Sequence, residues 1–299
     1  MTILKVVHCT RYRYANPVTF GDHRMMMRPR DSHDLRLIDT SLTISPAASV
    51  RWLHDVFGNS VAVAQFAEPA SELLVESSFR SQHYPLPAED VTPEQYAQRY
   101  PFSYDADEIP DLGRTAERHY PDPEHKIDLW ARGIAEATPD HATMGLLMAM
   151  TEAVGQQFTY NARDEMGTQD PLTTLESGTG TCRDYALFLM EAARSLGFAA
   201  RFVSGYLYDE SLIGGAGCGA DGSGVVGGGA THAWAEIYLP GAGWLELDPT
   251  NALVGGRNLI RVAVTRDPKQ AIPLSGTFTG KPADYLGMDV SVTITAESE

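Results

Sequence analysis

The sequence predicts an α+β protein, with an antiparallel β region ahead of a core in which a cysteine-led helix packs on an antiparallel sheet. Three observations point there. Residues 1–84 alternate with a period of two, and from about residue 126 the apolar spacing lengthens toward 3.6. Strand-like segments then return after residue 200. A length of 299 residues allows about two domains. The expected division is a β domain over 1–84, a connecting segment over 85–125, a mixed core over 126–270 and a C-terminal segment over 271–299.

In the β region, Lys5–His8 leads into Tyr12 and Tyr14, Arg36–Ile44 alternates cleanly, and Ser60–Ala64 follows. Asn16-Pro17, Pro29 and Gly58-Asn59 are turn chemistry and are expected to separate strands. Seven prolines between 85 and 123, with much acid and little periodicity, describe a segment draped over the surface. Ile127, Trp130 and Ile134 then share one helical face, and Met144, Leu147, Met150 and Val154 another. The clearest helix begins at Cys182, with Thr181 as N-cap and an apolar stripe of Ala186, Leu189, Met190, Ala193 and Leu196. Gly197 stands where a left-handed cap is wanted. Strands are expected at 200–208, 232–239, 243–248 and 259–265. The alternation of 290–295 suggests a strand returning to the N-terminal sheet. Nine glycines crowd 214–229, a stretch that is either a lid over a cleft or a plain insertion.

Lys and Arg total 23 against 39 Asp and Glu, a net charge of −16, which repels phosphate backbones and anionic lipid. Neither nucleic acid nor a membrane is an expected partner. Cys9, Cys182 and Cys218 are odd in number and widely spaced, as fits a reducing compartment. With no apolar run long enough for a signal peptide or a span, a cytoplasmic location is expected. The histidines show no metal-ligand spacing and no calcium loop occurs, so neither a metal nor another cofactor is expected.

The chemistry concentrates on three residues. Ser177-Gly178-Thr179-Gly180-Thr181 lets the chain turn tightly into a helix and delivers Cys182 at its N-terminus. There, free N–H groups and the helix dipole favour a thiolate and can hold an oxyanion. A thiol needs a base, and the base needs an orienting group. Alternation puts His232, Trp234, Glu236 and Tyr238 on one face of one strand, and Trp244, Glu246 and Asp248 on one face of the next. Pro240–Gly243 is turn chemistry, so the two strands form a hairpin. One register sets His232 directly opposite Asp248. A second makes them diagonal neighbours but sets Glu236 against Glu246, and like charges directly opposed are unfavourable, so the first is expected. Cys9 reads as a small buried hydrophobe and Cys218 as an exposed loop thiol. Trp234 and Trp244 are either pocket walls or hairpin core, and Tyr160 either a substrate wall, an oxyanion contact or a core aromatic. Arg183 and Asp184 are expected to tie down the glycine turn.

Gly178-Thr179-Gly180-Thr181-Cys182-Arg183-Asp184-Tyr185-Ala186, Thr231-His232-Ala233-Trp234-Ala235-Glu236 and Gly243-Trp244-Leu245-Glu246-Leu247-Asp248-Pro249-Thr250 resemble the three motifs of the transglutaminase-like superfamily. Spacings of 50 and 16 residues keep that family's order of Cys, His and Asp. Tyr12–Val18 and Asp55–Asn59 are similar to the N-terminal β region of bacterial cysteine proteases in it, and Arg261–Asp267 to the strand after the aspartate. The resemblance implies a papain-like core in which Cys182, His232 and Asp248 form a triad, with a peptide or protein as substrate. Members include peptidases, crosslinkers and glycanases. The expected activity is a cysteine hydrolase cleaving amide bonds. The alternatives are a transamidase that passes the acyl group to an amine, or a non-catalytic module on the same fold.

Overall fold

The computed structural model describes residues 3–85, 87–161, 167–208 and 231–297; the glycine-rich stretch with Cys218 lies outside them. The first six strands are β1 (Ile3–Phe20), β2 (His23–Arg28), β3 (Leu35–Ser45), β4 (Ala48–His54), β5 (Ser60–Phe66) and β6 (Ala70–His83). A short α1 (Glu108–Leu112) precedes α2 (Lys126–Ala137) and α3 (Thr143–Gln157). Then come β7 (Thr159–Tyr160), α4 (Pro171–Ser177), β8 (Thr179–Gly180) and α5 (Cys182–Ser195). The core sheet takes β9 (Ala200–Leu207), β10 (Thr231–Leu239), β11 (Gly243–Asp248), β12 (Leu253–Val254) and β13 (Leu259–Thr265). The chain closes with β14 (Leu274–Ser275), β15 (Phe278–Thr279) and β16 (Tyr285–Glu297). No helix among the described residues is long and apolar enough to cross a membrane.

Two antiparallel sheets form the N-terminal sandwich. One runs β15-β1-β6-β3, with β16 also paired to β1; the other runs β14-β2-β5-β4. Alternation along β1 buries Leu4, Val6, His8 and Thr10, the period-two pattern read in the sequence. Asn16-Pro17 is not a turn: β1 runs straight through it. Its pairing with β6 breaks between Arg13 and Val18, so Pro17, which has no N–H to donate, sits in an interrupted stretch of ladder. Asn16 donates to Asp284 Oδ1 at 2.8 Å there.

The core sheet runs β12-β11-β10-β9-β13. One face packs on α5 through Ala233, Ala235, Ile237 and Phe202 against Ala186, Leu189, Met190 and Ala193. Where β9 ends and β13 begins, Tyr206, Tyr208, Ile260 and Val262 pack with the sandwich residues Leu4, Val6, Phe79, Val292 and Ile294, while the face turned away from α5 carries Val203, Leu207, Trp234, Leu259 and Val264, with Phe57 packed against them. α5 is nearly all interior because α2, α3 and α4 cover it on the side away from the sheet, with Ile127, Ala131, Leu147, Met150 and Val154 in the same core. A polar tie also joins the two units. Asn59 donates from Nδ2 to the Val264 carbonyl at 2.7 Å and accepts the Val264 N–H at 2.9 Å, so one buried side chain mimics a strand partner. Segment 87–125 holds short helical turns and threads over the core: Tyr100 stacks on Phe198 at 5.6 Å and Tyr104 donates to the Tyr238 carbonyl.

Candidate active site

Gly178 takes φ +62 at the end of α4, and Gly180 has no space for a side chain, since a Cβ there would lie 2.9 Å from the Asp184 Cβ. The turn is locked by Asp184, whose Oδ2 accepts from the Thr181 backbone N–H at 2.8 Å and from its hydroxyl at 2.9 Å. Asp184 Oδ1 also accepts the Gln169 N–H, so a fully buried carboxylate caps α5 and holds the approach to Cys182. Arg183 plays no part in the turn. It donates to the Pro268 carbonyl and lies over Phe202. Cys182 is the first residue of α5, 8% exposed, with a free thiol. Cys9 also carries a free thiol and is half-buried on β1 rather than interior.

His232 and Asp248 meet. His232 Nε2 lies 2.8 Å from Asp248 Oδ2, with both side chains wholly buried. Asp248 is held in turn by Asn251, which donates to Oδ2 at 2.8 Å, and by the Thr250 N–H, which donates to Oδ1. The opposite imidazole nitrogen, Nδ1, has no hydrogen-bond partner among the described residues. Burial works against charge on the ring, but Asp248 and then the Cys182 thiol outweigh it, and the His232 pKa is pushed up to about 10. The imidazole therefore stands between carboxylate and thiol and holds a proton at neutral pH.

The register that achieves this is the one the sequence argued against. Ala235 pairs with Leu247 and Glu236 with Glu246, leaving His232 and Asp248 diagonal. Two arginines offset part of the repulsion that decided the expectation. Arg261 Nη1 donates to both glutamates, at 3.3 Å and 2.9 Å, and its Nη2 reaches Asp34 at 2.9 Å. Arg201 donates to Glu236 from the adjacent β9. Pair repulsion on one hairpin cannot be judged without the neighbouring strands.

Of the three other residues singled out, only Tyr160 borders the thiol. It is 38% exposed and pairs in parallel beside Gly180. Burial first, then the charges of Cys182 and Asp184, raise its pKa. Trp234 is wholly buried and lines no open surface. Trp244 pairs with Tyr238 at the far end of the hairpin, its ring under Arg201 at 3.9 Å. It stands four strand residues from Asp248, roughly 13 Å away, and is removed from the candidate substrate residues. Among the described residues, no group of three or more His, Cys, Asp or Glu side chains is placed to hold a metal ion.

A buried thiol at a helix N-terminus, an imidazole and an orienting carboxylate, set on a helix and an antiparallel hairpin, define the site. Residues 130–249 match the transglutaminase-like superfamily, and residues 4–82 the bacterial transglutaminase-like N-terminal region. The chain belongs to the transglutaminase-like superfamily and carries that bacterial N-terminal region ahead of the core. It is 28% identical over 304 residues to an uncharacterized protein of Mycobacterium tuberculosis, covering 97% of this chain and 91% of the relative. A second, from Mycobacterium leprae, is 25% identical over 295 residues, covering 97% and 98%. A solved structure from Cytophaga hutchinsonii, assigned provisionally as a cysteine protease, superposes with a TM-score of 0.70 at 17% identity. It covers all of this chain and 91% of its own. That likeness establishes the shared fold.

Proposed function

We propose that the protein is a cysteine hydrolase that cleaves amide bonds, peptide or isopeptide, in a peptide or protein substrate. The observation that carries the reading is the buried His232–Asp248 pair at 2.8 Å, with the Cys182 thiol close enough to act on the same ring. In this reading Cys182 attacks the carbonyl as a thiolate, its proton resting on His232. The oxyanion of the tetrahedral intermediate accepts the Cys182 N–H, which no preceding helical turn uses. His232 passes its proton to the departing amine, and the C–N bond breaks to leave a thioester on Cys182. Water then gives a proton to His232 and its oxygen to the acyl carbon, releasing the acid and the thiol. Asp248 keeps the ring oriented throughout, and Tyr160 forms one wall of the substrate approach. The reaction needs no metal or other cofactor. The proposed compartment is the cytoplasm, in keeping with an odd number of widely spaced cysteines.

The test supplies a cleavable acyl donor with and without a millimolar alkyl amine and quantifies both products. Free acid as the main product, lost in Cys182→Ala and His232→Ala, supports the reading. Amide product exceeding acid at low amine concentration would replace it with a transamidase.

A further inference from the structure

Trp234 lines no pocket, yet it occupies a slot the fold makes with some care. The indole lies 6.0 Å from the His232 ring at an interplanar angle of 29°, stacked against the face of the imidazole. Room for it comes from Gly205, the residue of β9 paired with His232. A Cβ there would fall 2.6 Å from the far corner of the indole and 2.1 Å from the Ile260 carbonyl. Val203, Leu207, Leu259 and Val264 close around the ring, and Phe57 of the N-terminal region packs against this cluster. The indole nitrogen faces the buried Glu246 carboxyl and helps it carry charge.

We propose that Trp234 is a positioning residue for His232: it holds the plane of the imidazole between the Asp248 carboxylate and the Cys182 thiol and favours the ring's charged form. Two physical effects act together. An imidazole leaves its orientation by rotating about Cβ–Cγ, which sweeps the ring through the volume the indole fills. A cation about 6 Å from an indole face is also attracted by the ring quadrupole, more strongly when dry. The titratable groups that meet the imidazole are Cys182 from α5 and Asp248 from β11, while Glu246 stands beyond the indole. This role rests on the proposed use of His232 as the partner of Cys182, so its test reads the thiol directly rather than turnover of a substrate.

The experiment is the pH profile of Cys182 alkylation by iodoacetamide, followed by peptide mapping, in the wild-type chain, Trp234→Phe and Trp234→Leu, with the exposed Trp52→Leu as control and the melting temperature of each recorded. Leucine should lower the rate at pH 7 by about three- to tenfold and move the half-plateau upward by about half to one pH unit. Phenylalanine, flat but smaller, should fall between leucine and wild type. If Trp234→Leu does not fold, Trp234→Phe decides: a profile moved upward supports the role, and an unmoved one overturns it. A folded Trp234→Leu with the wild-type profile, or one whose rate falls with no movement along the pH axis, overturns it too. A normal alkylation profile in a protein that hydrolyses no amide would instead count against the proposed activity alone.

Discussion

Replacing Glu246 by glutamine should stabilise the protein, and only above acidic pH. Burial first, then the neighbouring Glu236 and Asp34, push the Glu246 carboxyl up from its ordinary 4.5 to about 7, while Arg261 pulls the other way. Because the folded state holds this proton more tightly than the unfolded chain, there is no penalty below about pH 4.5. As pH rises from 4.5 to 7 the unfolded state releases its proton first and stability falls, and above 7 the full penalty stands. Two to three pH units at about 1.4 kcal/mol each put that penalty near 3 kcal/mol as an upper figure. Glutamine keeps an acceptor for Arg261 Nη1, and Arg261 keeps Glu236 and Asp34, so no buried cation is stranded. The expected gain in urea-denaturation free energy is therefore about 1–3 kcal/mol at pH 8.5, exceeding the gain at pH 5.5 by about 1–2 kcal/mol. Working at 5.5 keeps the chain above its isoelectric point near 4.9. A variant less stable than wild type at pH 8.5, or a gain that does not change with pH, would refute this account of the buried glutamate pair.

Asn59→Ala strands the Val264 N–H and carbonyl and should cost about 2–4 kcal/mol in the same assay; a loss below about 0.5 kcal/mol would show that water replaces the amide. His8 is buried and hydrogen-bonded to Tyr206 at 2.9 Å, and burial lowers its pKa to about 4. The unfolded chain binds a proton near 6.5 that the folded one refuses, so stability drops as pH falls from 6.5 toward 4; His8→Gln should flatten that slope by roughly one proton, and an unchanged slope would count against it. Gly180→Ala drives a methyl into Asp184 and Tyr185 and should cost about 1–3 kcal/mol while slowing Cys182 alkylation; wild-type alkylation in that variant would mean the turn does not place the thiol.

What could be read from the sequence was whatever depends on local periodicity and chain-end chemistry. The helix at Cys182 with its Thr181 cap, the strands bearing His232 and Asp248, and the turn at Pro240–Gly243 follow from spacing alone. What escaped depends on residues far apart in the chain. The hairpin register turns on Arg201 and Arg261, which lie on other strands. Pro17 looked like a strand break, but β1 tolerates it where its ladder with β6 is already interrupted. Trp234 and Trp244 share a hairpin face, which left each readable as a pocket wall or as hairpin core. Depth in the fold separates them, since the Gly205 notch and the N-terminal sandwich bury one and leave the other beside Arg201. Asn251 carried a usable signal, a polar residue three positions after a key aspartate, whereas the turn-holding role of Asp184, an acidic residue at the third helical position after a threonine cap, was legible.

The central claim is that Cys182 forms a covalent acyl intermediate under the control of His232 and Asp248. The most direct measurement offers the protein a peptide mixture, quenches with acid at short times and maps every cysteine-containing peptide by mass spectrometry. The account predicts an acyl group on Cys182 alone, absent from His232→Ala and much reduced in Asp248→Asn. An acyl group on Cys9 or Cys218 instead, or amide cleavage that persists in Cys182→Ala, would contradict it.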